Sequence, residues 1–288
     1  VGVEVQAASA DMAADNQRRM ISMNAKQKLG IIGCGHLGTI IATAVRDGYL
    51  PDYELAFCCS HTVAHAERLA ADYGCIACQT AEELIEHHPD VIVECASVEA
   101  VRQSALLAMK QGITLIPLSV GAFADPEFYE AVKETAAQYH GMVYIPSGAV
   151  GGFDALRTVS LMAEAAKGTL HAGIETRKGP ASLKNTPLYQ EELETAEKEV
   201  FHGTAKEAIA ILPTKVNVAV AAALSTAGPE HTEVTITSVP GFVGDDHKIT
   251  AEINGIKAVS DTYSANSDIA AWSAVALLQQ LASNIRLF

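Results

Sequence analysis

Fourteen residues, Leu29 to Ala42 (LGIIGCGHLGTIIA), limit what this chain can become more than any others. Leu29, Ile31 and Ile32 read as the end of a buried strand, and Leu37, Ile40, Ile41 and Ala44 recur at helical spacing. Between them Gly33, Gly35 and Gly38 stand in the G-x-G-x-x-G pattern. Each glycine has its own task. Gly33 permits a tight turn, Gly35 lets the backbone approach a pyrophosphate, and Gly38 lets the helix pack closely on the strand. The helix N-terminus, with His36 and Leu37 in its first turn, then presents unpaired N–H groups and the positive end of its dipole to the phosphates. A strand before the glycines and a helix after them turn a weak motif into a dinucleotide site.

Downstream, short apolar runs alternate with helical patterns. Tyr53–Cys59 reads as a strand and Val63–Tyr73 as a helix. Thr80-Ala-Glu-Glu83 is a capping box for a short helix that stops near Pro89. Val91–Cys95 is a buried strand, Ser97 caps a helix running to Lys110, and Ile113–Leu118 is a further strand. Asp125-Pro126 supplies a cap and a first-turn proline for Glu127–Tyr139, and Met142–Ile145 follows as a strand. Such alternation implies an α/β fold with a doubly wound parallel sheet. Past Pro146 the regularity ends. A glycine-rich turn, Ser147–Gly152, leads into the helix Phe153–Ala166. Thr169–Arg177, Thr232–Ser238, Lys248–Ile253 and Ile256–Tyr263 read as strands, interrupted by helices near Ala205–Leu212 and Val216–Ser225. This mixture predicts a second, α+β domain on an antiparallel or mixed sheet. The apolar helix Ile269–Ile285 is expected to return to the first domain. The division expected is a disordered extension over 1–24, a dinucleotide-binding domain over 25–146 with 264–288, and a substrate and dimerisation domain over 147–263.

Composition closes off several classes. At 288 residues, with 49% hydrophobic and 19% charged, the chain is long enough for two domains around one cleft. Its net charge of −14 argues against nucleic acid or an anionic membrane as partner. No apolar run reaches the length of a membrane span. All six cysteines lie between Cys34 and Cys95, and without a second C-x-x-C pair they read as small buried hydrophobes in a reducing, cytoplasmic setting. No cluster has metal-ligand spacing.

Ligands of open α/β sheets bind outside the carboxyl ends of the strands. That rule nominates Ser60 and His61, then Cys95, Ala96 and Ser97, then Ser119 to Ala122 including Gly121. The acidic residue that reads a ribose 2′-hydroxyl is expected near residue 60, where the sequence is Cys-Cys-Ser-His-Thr (58–62). Its absence admits NADP as well as NAD. Arg177 and Lys178, with Ser147 and Gly148 of the glycine turn, are candidates for binding an anionic substrate. Lys184 and Lys215 are further cations of this half. Among the histidines, His247 follows Gly244-Asp245-Asp246 where a strand begins, so it is expected at an edge or loop facing a cleft. Its pKa suits proton transfer near neutrality.

Eight stretches, in order and at compatible spacing, resemble the L-aspartate dehydrogenase family: GIIGCGHLG (30–38), VECAS (93–97), SVGAFAD (119–125), PSGAVGGFDAL (146–156), ETRKGPASL (175–183), VFHGTAKEA (200–208), VNVAVA (216–221) and DHKI (246–249). The resemblance implies a homodimer with a Rossmann domain completed by the C-terminal helix. It also implies that Ala122 and Asn217 contact the nicotinamide cofactor, that His247 is the catalytic acid/base, and that a small acidic amino acid is oxidatively deaminated. The sequence departs from the family at 263–267, Tyr-Ser-Ala-Asn-Ser in place of N-P-K-T-S, and at 213–217, Pro-Thr-Lys-Val-Asn in place of P-K-N-V-N. Two alternatives stand beside this reading: a related dehydrogenase or imine reductase acting on another small carboxylate, and a non-catalytic dinucleotide sensor.

Overall fold

The computed structural model describes residues 26–212 and 216–287. The extension expected over 1–24 and the Pro213–Lys215 segment lie outside them. The first half forms six parallel strands in the order β3-β2-β1-β4-β5-β6: β1 (Gln27–Ile32), β2 (Tyr53–Cys59), β3 (Ile76–Cys78), β4 (Val91–Glu94), β5 (Thr114–Pro117) and β6 (Met142–Val143). The order reverses between β1 and β4, which opens a crevice at their carboxyl ends. Helices α1 (His36–Arg46), α2 (Val63–Tyr73), α3 (Ala81–Glu86), α4 (Val98–Lys110) and α5 (Pro126–Tyr139) connect the strands.

Several helix starts are fixed by side chains the sequence singles out. Thr80 accepts from the Glu83 N–H, Ser97 from Ala100, and Asp125 from Glu127 and Phe128. Each such cap is worth about 1 kcal/mol. The start of α1 is different: its cap is Gly35, with no side-chain hydrogen bond and no acid in the first turn.

The second sheet is mixed, in the order β11-β10-β7-β9-β8: β7 (His171–Lys178), β8 (Lys198–Thr204), β9 (Thr232–Ser238), β10 (Asp245–Ile253) and β11 (Ile256–Ser264). Only β7 and β9 run parallel. Helices α6 (Phe153–Ala166), α7 (Ala205–Ile211) and α8 (Asn217–Ser225) cover one face, and the other face carries polar and charged side chains. The last helix, α9 (Asp268–Ala282), returns to the first sheet. Ala271, Ala274, Val275 and Leu278 are buried in one cluster with Leu29, Ile31 and Ile41. Polar ties reinforce this docking: Tyr53 Oη donates to the Leu278 carbonyl (3.0 Å), and the Gln279 amide donates to the Tyr49 carbonyl (2.7 Å).

Two strands escape the sequence patterns, β3 and β8. The first has three residues. The second, KEVFHGT, is an edge strand with a bulge between Glu199 and Phe201 and little apolar alternation.

Candidate active site

The glycine turn is built as the spacing requires. A Cβ on Gly38 would lie 2.0 Å from the Gly33 carbonyl oxygen, so only glycine lets α1 sit this close to β1. Gly33 has φ +110°, and a side chain there would strike the Cys95–Ala96 backbone. Gly35 is exposed, and a Cβ there would touch no protein atom within 4 Å. The His36 imidazole turns away to Asp268 of α9 (2.6 Å), so its offer to a phosphate is its backbone N–H. With Leu37 half-buried behind it, the uncapped helix start fits a pyrophosphate.

Beside this turn, Gly33, Ser60, His61, Ala96 and Ser97 line one cleft together with Gln79 and Thr80. Two acids missed by the sequence reading, Glu82 and Glu99, also line it. They come from α3 and α4, so a search confined to the end of β2 does not reach them. Cys95 lies underneath, its thiol donating to the Gly33 carbonyl (3.1 Å).

Across the crevice, a 3-10 turn (Val120–Ala124) leaves β5 and meets the start of α8. The Gly121 N–H donates to Asn217 Oδ1 at 2.9 Å, joining the two halves. Ala122 is fully buried, so it can meet a ligand only if this turn shifts.

The second half corrects the expected position of His247. It lies inside β10, paired on both sides by β7 and β11, and is only 2% exposed. The strand starts at Asp245 because both neighbours extend that far, which the glycine-aspartate run conceals in sequence. His247 sits opposite Thr176, whose Oγ1 is 3.0 Å from Nδ1, and Nε2 makes no hydrogen bond to a described residue. Burial lowers the imidazole pKa to about 4; Asp245 opposes this and Lys178 adds to it. The ring is therefore neutral at physiological pH.

Lys178 and Arg177 separate. Alternation along β7 puts Thr176 and Lys178 on the helix-covered face with His247 and Arg177 on the open face, where it pairs with Glu197 (3.1 Å). Arg177 therefore does not join the site expected for it. Lys178 Nζ lies 3.2 Å from Asp245 Oδ1 as an ion pair without hydrogen-bond geometry, and that buried oxygen has no hydrogen-bond partner. Ser238 Oγ, opposite Lys178 on β9, is likewise buried and unpartnered. Such orphaned polar atoms fit a polar ligand. Thr176 and Lys178 also line a small pocket with Thr186 and with Val216, Val218 and Ala219 around the start of α8, beside Asn217. The glycine turn is not available in the same way: the Gly148 N–H donates to Ser273 of α9 (2.9 Å), and the Ser147 carbonyl accepts from Val150. Lys184 pairs with Glu194, and Lys215 lies outside the described residues. His202 is on the open face, near Thr235.

Residues 160–281 match the family model "Aspartate dehydrogenase, C-terminal", and residues 33–146 match "Homoserine dehydrogenase, NAD binding domain". L-aspartate dehydrogenase of Methanococcus maripaludis (strain C5) is 34% identical over 272 residues, which is 90% of this chain and 98% of that one. The chain belongs to the L-aspartate dehydrogenase family. The Methanosarcina mazei member is 38% identical over 234 residues, 78% of this chain and 83% of its own. A crystal structure of aspartate dehydrogenase from Thermotoga maritima matches with a TM-score of 0.70 at 25% identity, covering 92% of this chain and 100% of that one. As members of this family are, the chain is an oxidoreductase with a nicotinamide-dinucleotide domain.

Among the described residues, one mixed group of metal-type donors comes together, Cys78, Glu83 and His87, and the sequence reading does not contain it. Glu83 already accepts the Gln79 N–H (2.6 Å), and burial pushes the Cys78 thiol up to about 11, so the group is satisfied as a helix start. The six cysteines are free thiols, four of them buried.

Proposed function

We propose that this chain oxidises L-aspartate with NADP or NAD to iminosuccinate, which water hydrolyses to oxaloacetate and ammonia, with His247 as the acid/base. The observation that carries this reading is the cluster of His247, Thr176, Lys178 and Asp245 on the covered face, where Thr176 and Lys178 line one pocket with Val216 and Val218 at the start of α8. A nicotinamide held in this crevice would supply the hydride acceptor for the substrate Cα. Neutral His247 takes the ammonium proton at Nε2 while Thr176 holds Nδ1, and it later manages protons as water adds to the imine. Lys178 turns from Asp245 to a substrate carboxylate. Ser60 and His61 donate toward a 2′-phosphate, against the opposing charges of Glu82 and Glu99.

The division we propose keeps 25–146 with 264–288 for the dinucleotide and 147–263 for the substrate and for pairing. A homodimer is supported by the sheet face that no helix covers, where Val259 and Tyr263 stand exposed among charged groups. Its partner in the reaction is a small amino acid, in the cytoplasm, without nucleic acid. No helix among the described residues is long and apolar enough to cross a membrane.

The test is a substrate panel on paired variants, followed by the near-ultraviolet absorbance of reduced nicotinamide. Lys178→Ala should raise the KM for L-aspartate at least about tenfold, as loss of uniform binding does, while Arg177→Ala leaves it within about twofold. Equal turnover of L-alanine and L-aspartate by the wild type would show that no side-chain carboxylate is read.

A further inference from the structure

Glu94 is the last residue of β4 and has no solvent exposure. Its Oε1 accepts from the Ala96 N–H (2.7 Å), the Ser97 N–H (2.8 Å) and the Ser119 hydroxyl (3.0 Å), and its Oε2 from the Ser119 N–H (3.1 Å). Burying a carboxylate in an apolar core costs several kcal/mol unless donors surround it. Here burial does push its pKa up, while those same donors pull it back. All four bonds are donated to the carboxylate, three of them by backbone N–H groups that cannot accept in return.

The donors come from two loops, one after β4 and one after β5. The first supplies Ala96 and Ser97 to the cleft beside the glycine turn. The second continues through Ser119 to Gly121, whose N–H is held by Asn217 of the other half. A side chain that only filled space or capped one helix would bind one loop. Glu94 binds both, on the β4 side of the crevice that the strand order opens between β1 and β4.

We infer that Glu94 is a positioning residue for the dinucleotide: its buried carboxylate clamps the loops after β4 and β5 at one separation, and cofactor affinity depends on that clamp. The inference rests on the reading of this crevice as the dinucleotide site. It separates charge and acceptor capacity from bulk. Glutamine has the same shape, but with its oxygen at the Oε1 position its NH2 group faces the Ser119 N–H, and with the amide reversed it faces those of Ala96 and Ser97, none of which can accept. Aspartate keeps both acceptor oxygens but is one methylene short, so it can serve one loop well and the other poorly.

The experiment titrates NADPH and NADH by their fluorescence into wild type, Glu94→Gln, Glu94→Asp and Ser119→Ala, with KM values for cofactor and L-aspartate measured alongside. Glu94→Gln should raise the cofactor Kd at least about tenfold, or about 1.4 kcal/mol, with the L-aspartate KM within about threefold. Glu94→Asp should recover part of the loss. Ser119→Ala removes one hydroxyl without touching the fold's backbone bonds and should raise Kd about threefold with its melting temperature near wild type, which keeps the inference testable if Glu94→Gln fails to fold. Wild-type affinity in Glu94→Gln, or in Ser119→Ala when Glu94→Gln does not fold, would overturn it. So would an aspartate KM that rises as much as the cofactor KM, because that pattern means general loosening. If the wild type itself binds neither dinucleotide, the crevice has been misread and the inference falls with it.

Discussion

The two sheets hold their functional groups in opposite ways. The first works mainly through its backbone: bare glycines, an uncapped helix start, and two loops clamped by Glu94. The second works through side chains, brought together by strand register from positions as far apart as Thr176 and His247. A backbone site is insensitive to most side-chain changes, whereas a register site can lose its function through one atom. The same contrast separates the two faces of the second sheet, since His247 and His202 sit on opposite sides of it.

The largest expected effect tests that last distinction. His247→Ala should lower kcat by at least about 10²-fold, with cofactor affinity and melting temperature near wild type, because acid/base help is worth about 10²- to 10⁴-fold. His202→Ala should do neither. A His247→Ala enzyme that keeps most of its kcat, or loses it only in step with stability, would remove chemistry from the covered face.

A second test uses pH. The folded state lowers the His247 pKa to about 4 from an ordinary 6.5. Between these values the unfolded chain binds a proton that the folded one refuses, so stability rises with pH across this window and is lost as pH falls through it. The size is on the order of 3 kcal/mol at most. Melting temperature measured from pH 7 down to pH 4 should fall less steeply in His247→Gln than in wild type. Parallel curves would mean that another group sets the acid limit.

The smallest effect belongs to the backbone half. Ser60→Asp should move the ratio of kcat/KM for NADP over NAD toward NAD by about tenfold, near 1.4 kcal/mol, leaving kcat with NAD close to wild type. Wild-type NADP should serve at least as well as NAD; a preference for NAD beyond about tenfold would mean that Glu82 and Glu99 outweigh Ser60 and His61.

What the sequence discloses follows the same split. Strands Tyr53–Cys59 and Thr232–Ser238 and helices Val63–Tyr73 and Phe153–Ala166 coincide with their expected bounds, because local periodicity determines them. The glycine turn is legible for the same reason: all its parts lie within a few residues. Arg177 and Lys178 are adjacent, and only knowing which parity of β7 faces the helices separates them; a one-residue slip exchanges the faces. Glu94 reads as the acid in an otherwise apolar VIVEC run, and its partner Ser119 is 25 positions away. His247 looks like a loop residue until β7 and β11 are seen on either side of it.

The placement of α9 has a consequence for synthesis. The apolar flank formed by Leu29, Ile31 and Ile41 is covered by Ala271, Ala274 and Leu278. At about 5–20 residues per second, a ribosome needs on the order of ten to fifty seconds to travel from one set to the other. Throughout that time the nascent first sheet presents an oily stripe with no mate. His36, at the mouth of the phosphate turn, waits equally long for Asp268. A transcript broken between the glycine turn with its first helix and α9 would therefore yield a chain that keeps its nucleotide motif and still displays a surface that chaperones and proteases recognise.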